Sequence, residues 1–268
     1  MVIIGEKING TRKSVQTAIL NRDSDAICAM AKEQADAGAD YLDVNAGTGP
    51  ERELEDMLWL LDLVQKTVPD TAICIDSSSA KTLEAAMDHV SRTPLVNSIN
   101  ADPARLDSFI PLVKEKNCPV IALALDESQS GMPKSNEERM ENLRRIFNAT
   151  RAAGIADSCV FVDPLIMAVA TDNTASIEAI SCIRQIHELY PEAHITGGLS
   201  NISFGLPERA VVNRTFLTLA MNAGMDSAVC NPASRSLIEA IKATDMLLGR
   251  DRFCRNYTKA ARDNFSKN

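Results

Sequence analysis

Residues 41–79 read YLDVNAGTGPERELEDMLWLLDLVQKTVPDTAICIDSSS, and this stretch decides the fold. Tyr41–Val44 is a short apolar run with strand composition. Glu51–Thr67 carries Leu54, Met57, Leu58, Leu61 and Val64 on one helical face. Thr71–Ile75 returns to strand character and ends in Asp76-Ser77-Ser78-Ser79. A strand, an amphipathic helix and a second strand in this order make a βαβ unit.

The alternation continues outward in both directions. Upstream, Val2–Ile4 is β-like, and Ser24 opens a helical segment that ends at Gly38. Downstream, strand-like runs are expected at Leu95–Asn97, Val120–Leu125, Val160–Val162, Ile195–Gly197 and Ser227–Val229. Helical patterns lie between them at Ala80–His89, from Asp102-Pro103 to about Lys116, at Asn136–Ala153, at Ala175–Leu189 and from Glu208 to Ala223. A last one runs from Ser234 to Leu248. No proline-rich or Gly/Ser-rich linker divides the 268 residues, so residues 1–268 are read as one domain. Eight β-then-α units in a chain of this length predict a (β/α)8 TIM barrel of the α/β class. A doubly wound open sheet uses the same unit and is the alternative.

Composition removes several classes of function. The formal net charge is −8 and aromatic residues make up 4%, a poor match to phosphate backbones or stacked bases. No nucleic-acid partner is expected. No apolar run approaches the length of a membrane span, so no membrane partner is expected either. The opening MVIIGEKING lacks a charged region before a long apolar stretch; no signal peptide is expected, and the cytoplasm is the expected location. The seven cysteines form no CxxC, and the three histidines form no HxH or HExxH, so no metal site is expected.

Barrel chemistry sits at the C-terminal ends of the strands. The residues there are carboxylates and carboxamides: Glu6, Asn9, Asp43, Asn45, Asp76, Asn97, Asn100, Asp163 and Asn201. Lys7 is the only lysine directly after a strand. Such a rim suits a neutral ligand with both donor and acceptor edges, such as a 2-amino-4-oxo heterocycle. Each position also has a plain structural reading, as a helix N-cap or Asx turn. Asp76 before three serines is the clearest example.

The blocks IGEKING (4–10), LDVNAG (42–47), CIDSSS (74–79), NSIN (97–100), VDPL (162–165), GLSN (198–201) and NRTFLTLAMNAGMDSA (213–228) follow one another along the chain. With them the chain resembles the pterin-binding methyltransferases of the methyltetrahydrofolate:corrinoid type. The resemblance implies a pterin-binding barrel, usually a homodimer, that moves a methyl group between N5 of tetrahydrofolate and the cobalt of a cobalamin or other corrinoid, in either direction. It implies that Asp76, Asn97 and Asp163 bind the pterin, with Asp163 on the 2-amino/N3 edge. It places Asn201 at N5 as the catalytic hydrogen-bond donor or acceptor. Gly198 and Ser200 line the ring, Arg209 lies near the ligand, and Asp43 and Asn45 have supporting roles. The sequence departs from the pattern at Phe204, where a polar residue is common, and across Gln129–Ser135. No DxHxxG segment is present, so the corrinoid is expected to arrive on a separate corrinoid protein or as free cofactor. Glu127–Ser135 is read either as a loop that moves when that partner docks or as a plain solvated loop. Dihydropteroate synthase, a relative in the same fold family, lacks support here because its lysine after strand seven and its Arg-x-His near strand eight are missing. A non-catalytic folate-binding subunit is the third reading.

Overall fold

The computed structural model describes residues 1–129 and 131–265. Ser130, within the loop singled out above, lies outside the described residues. The elements in order are β1 (Val2–Asn9), α1 (Lys13–Leu20), α2 (Ser24–Asp36), β2 (Tyr41–Asn45), α3 (Glu53–Thr67), β3 (Ala72–Asp76), α4 (Ala80–His89), β4 (Leu95–Ile99) and α5 (Pro103–Lys116). They continue with β5 (Val120–Leu123), α6 (Asn136–Ala152), β6 (Val160–Asp163), α7 (Ala175–Leu189), β7 (His194–Ile195), α8 (Arg209–Ala223), β8 (Ser227–Cys230), α9 (Arg235–Leu247) and α10 (Arg255–Phe265). The eight strands are parallel and run in the order β7-β6-β5-β4-β3-β2-β1-β8. The Gly198–Val229 bridge brings the two ends together, with the Val229 N–H donating to the Gly197 carbonyl at 3.0 Å. The sheet is a TIM barrel, as the alternation of elements predicts.

Period-two alternation divides every strand between two layers. Leu42, Val44, Ile73, Ile75, Val96, Val120, Ala122, Val160 and Val162 point outward and pack under the helices. Ile4, Cys74, Leu95, Ile121 and Phe161 form a separate apolar cluster inside the barrel. Two residues further along the same inner faces stand Glu6, Asp76, Asn97 and Asp163, and on β2 the inner face runs Tyr41, Asp43, Asn45. The barrel is thus plugged with apolar side chains toward the strand N-termini and lined with acids and amides toward the C-termini.

Local sequence explains where helices begin. Asp23 accepts from the Ala26 N–H, Ser79 from Thr82, Asp102 from Ala104 and Ser135 from Glu138, each satisfying an otherwise unpaired donor of a first turn. The cap of α4 is Ser79, which leaves Asp76 free of that duty. Gly10 donates to the Asn45 carbonyl at 2.8 Å, and a Cβ there would sit 1.9 Å from the Ala46 oxygen. Only glycine lets the loops after β1 and β2 meet backbone to backbone.

Three expectations need correction. β1 does not stop at Ile4 but runs to Asn9, with an irregularity in register between Gly5 and Ile8. Glu6 is therefore a strand residue, and Lys7 lies outside the barrel, its Nζ 2.6 Å from Glu33 of α2. β5 ends at Leu123, and β7 is only His194–Ile195. Helices α1 and α10 lie outside the eight repeating units.

Candidate functional site

Five predicted residues line the polar cup, and four of them, Asp43, Asn45, Asp76 and Asn97, interact with one another. Asp43 is 3% exposed and accepts from Asn97 Nδ2 at 3.0 Å. Asn45 donates to Asp76 while its own Oδ1 is buried without a partner. Burial holds the Asp43 carboxyl well above the usual carboxylate range, and the charge of Asp76 adds to the effect. Burial likewise raises Asp76, with the Asn45 hydrogen bond opposing and the Glu53 charge assisting. Asp163 sits at the end of β6, where Oδ1 accepts from the Leu165 N–H at 2.8 Å. Burial pushes Asp163 up to about 6, against the Leu165 and Gly198 N–H groups that favour its anion. The cup offers carboxylates that accept hydrogen bonds or carry a proton, carboxamides that do both, and an orphaned acceptor on Asn45. This donor set fits a planar ring with N–H and carbonyl edges.

The remaining predicted residues lie on the turn after β7 and at the start of α8. Leu199–Ser203 forms a 3-10 turn. A Cβ on Gly198 would come within 2.9 Å of Asn201 Nδ2, so glycine lets the Asn201 carboxamide lie against the strand end. The Ser200 hydroxyl reaches Glu6 at 3.4 Å, and Glu6 also accepts from Arg12 at 3.0 Å. Arg209 donates to the Ser200 carbonyl at 2.7 Å and to the Ser203 hydroxyl at 3.0 Å. Arg209 thus grips the turn that carries Asn201. A cavity of about 280 Å³ adjoins this brace, walled by Glu6, Arg12, Ser200, Arg209 and Asn213.

A family model described as pterin binding enzyme matches residues 5–231. The chain belongs to the pterin-binding enzyme family. It is 42% identical over 262 residues to the methylcorrinoid:tetrahydrofolate methyltransferase of Eubacterium limosum, covering 98% of this chain and 96% of that one. It is 31% identical over 242 residues to the methionine synthase of Mycobacterium leprae (strain TN), covering 85% of this chain and 20% of that protein. A dihydropteroate synthase from Coxiella burnetii in complex with pteroic acid shares the fold, with a TM-score of 0.71 at 18% identity over 94% of this chain and 93% of that one. So does one from Xanthomonas albilineans with 4-aminobenzoic acid, with a TM-score of 0.70 at 19% identity over 92% of both chains.

Within this pterin-binding enzyme, some strand-end polar residues hold local structure. Asn100 is 1% exposed and accepts from the Asp102 N–H, and Asn9 accepts from Thr11. Asp126, after β5, is tied to Ser128, Gln129 and Arg145. Two residues near the cup escaped the sequence reading because they lie on helices. Glu53 accepts from Ser77 at 2.6 Å and faces Asp76. Arg105 donates to the Ser78 carbonyl and to Glu127, and its charge favours the Asp76 anion. Among the described residues no group of three or more His, Cys, Asp and Glu side chains could hold a metal ion, and no helix is long and apolar enough to cross a membrane.

Proposed function

We propose that this protein transfers the methyl group of a methylcorrinoid to N5 of tetrahydrofolate, and that the same site runs the reverse reaction. The observation that carries the reading is the ring of inner-face acids and amides at the strand C-termini, joined to the close likeness to a relative named for this reaction. Asp163 takes the 2-amino and N3 hydrogens of the pterin. Asp76 and Asn97 hold the rest of the ring, with Asp43 and Asn45 orienting them.

The N5 lone pair forms the bond to the methyl carbon as the cobalt–carbon bond breaks. Both electrons of that bond stay on cobalt, which passes from Co(III) to Co(I), and N5 then sheds its proton. In reverse, Co(I) attacks the N5-methyl of a protonated or strongly hydrogen-bonded N5. Asn201 serves both directions because a carboxamide both donates and accepts, and it stabilises N5 as charge develops there. The corrinoid is a substrate that arrives on a separate protein or free in solution, and the working unit is a homodimer, which light scattering tests.

The test is anaerobic absorbance of methylcobalamin with tetrahydrofolate, and of cob(I)alamin with methyltetrahydrofolate. Protein-dependent interconversion is expected. Tetrahydrofolate binding without conversion leaves a folate protein that needs its own corrinoid protein or is a non-catalytic subunit, and absence of both binding and conversion overturns the reading.

A further inference from the structure

The rim of the cup carries an apolar exposure that pterin binding leaves unused. Phe204 follows the turn that holds Asn201 and is 68% exposed, and Met167, on the loop after β6, is 36% exposed. Their chain neighbours Ile166, Ile202 and Ser203 are buried, so both loops are anchored from below while these two side chains face solvent. The backbone joins the loops, with the Val169 N–H donating to the Ile202 carbonyl at 3.1 Å. The Phe204 N–H donates to the Asn201 carbonyl at 3.0 Å. The main chain at Phe204 is thereby tied to the turn that carries Asn201.

This inference rests on the methyl-transfer reading and names residues that would recognise its second substrate. In that reaction the cobalt stands in line with N5, close to Asn201, and the macrocycle must extend sideways over the rim. The corrin ring and its methyl groups present an apolar area around the metal, with amide arms only at the periphery, whereas the cup behind Asn201 is lined with acids and amides. An exposed aromatic and an exposed thioether on the two joined loops, one of which carries Asn201, match that face, since an aromatic ring offers a large apolar area and methionine adapts its shape to an irregular partner. We propose that Phe204, with Met167, forms the shelf on which the corrin macrocycle lies, and that Phe204 sets affinity for the corrinoid rather than for the folate.

The experiment uses the whole protein, free methylcobalamin and tetrahydrofolate. Phe204→Ser is expected to raise KM for methylcobalamin about tenfold, with tetrahydrofolate affinity by calorimetry and the melting temperature unchanged. Phe204→Leu, which restores apolar bulk, is expected to recover most of the loss. An unchanged KM for methylcobalamin in active Phe204→Ser overturns the shelf and leaves the methyl-transfer reading standing. An equal loss of tetrahydrofolate affinity also overturns it, by placing Phe204 on the pterin. Wild-type protein inert toward free methylcobalamin overturns the shelf too, because a shelf for the macrocycle must accept the free molecule. If that protein also fails to bind tetrahydrofolate, the methyl-transfer reading falls with it.

Discussion

Asp163 pays for its position in stability. Burial raises its pKa from the ordinary 3.8 to about 6, so between these values the folded protein holds a proton that the unfolded chain has lost. Stability therefore declines as pH rises through this window, and above it the fold carries an ionised buried carboxylate. Asp163→Asn keeps an acceptor for the Leu165 and Gly198 N–H groups and removes the charge. The variant is expected to be more stable at pH 8 by roughly 1–3 kcal/mol in denaturant melts. It is also expected to bind tetrahydrofolate roughly 10- to 100-fold more weakly, because a charged hydrogen bond to the pterin is lost. Wild-type affinity should fall below about pH 6 as Asp163 takes up its proton, and the variant should lack that step. Unchanged affinity would remove Asp163 from the pterin edge. Asn201 makes the opposite case. Asn201→Ala is expected to slow methyl transfer roughly 100-fold or more while tetrahydrofolate affinity moves little, since its hydrogen bond strengthens as charge develops on N5. Equal loss in single-turnover rate and in binding would reduce its part to uniform binding.

At the scale of elements, the turn after β7 is held from two sides, by Arg209 from α8 and by Glu6 from β1. The resemblance alone places Arg209 beside the ligand; the structure shows it gripping the Ser200 carbonyl. Arg209→Met keeps most of the bulk and frees the turn. Its kcat is expected to fall about tenfold through misplacement of Asn201, with tetrahydrofolate affinity within about threefold. A matching loss of affinity would mean that Arg209 touches the ligand after all. The strand-end residues Asp76, Asn97 and Asp163 are legible in the sequence because each ends an apolar run, and Asp43 because it interrupts the run Tyr41–Val44 at an inner-face position. Charged Glu6 and Lys7 interrupt the apolar run and so place Glu6 beyond the strand in sequence, although an inner-face charge is what the top of this barrel requires. Asn9 and Asn100 carry the same residue types as the cup, and only the geometry shows that their acceptors are spent on local turns. Glu53 and Arg105 gave no signal, because helix residues come into range of the cup only after the chain folds.

For the whole molecule, eight βα units are legible in sequence, but how the barrel closes is not. The two-residue β7 meets β8 through the single Gly198–Val229 bridge and the Asp226 N–H bond to the Ile195 carbonyl at 3.3 Å. Side chains compensate for this short seam. Asp226 accepts from the Ile195 N–H at 2.9 Å and pairs with His194 Nδ1 at 2.7 Å, while the His194 ring stacks on Phe161 at 4.4 Å. The Asp226 hydrogen bond raises the His194 pKa above its ordinary 6.5, with burial opposing. Because the folded value is the higher one, the charged pair contributes fully below pH 6.5 and loses its contribution as pH rises through the folded value. Asp226→Asn keeps one oxygen for the Ile195 N–H and replaces the oxygen facing His194 Nδ1 with an uncharged NH2, so it deletes the charge and the acceptor of the imidazolium N–H together. Both side chains are partly exposed, so screening limits the expected loss to about 1 kcal/mol or less. Melting temperatures taken across the pH range should show the variant below wild type in mild acid and converging with it in alkali. A constant gap at every pH would mean that the seam is fastened by neutral hydrogen bonds and that the ion pair adds nothing to closing the barrel.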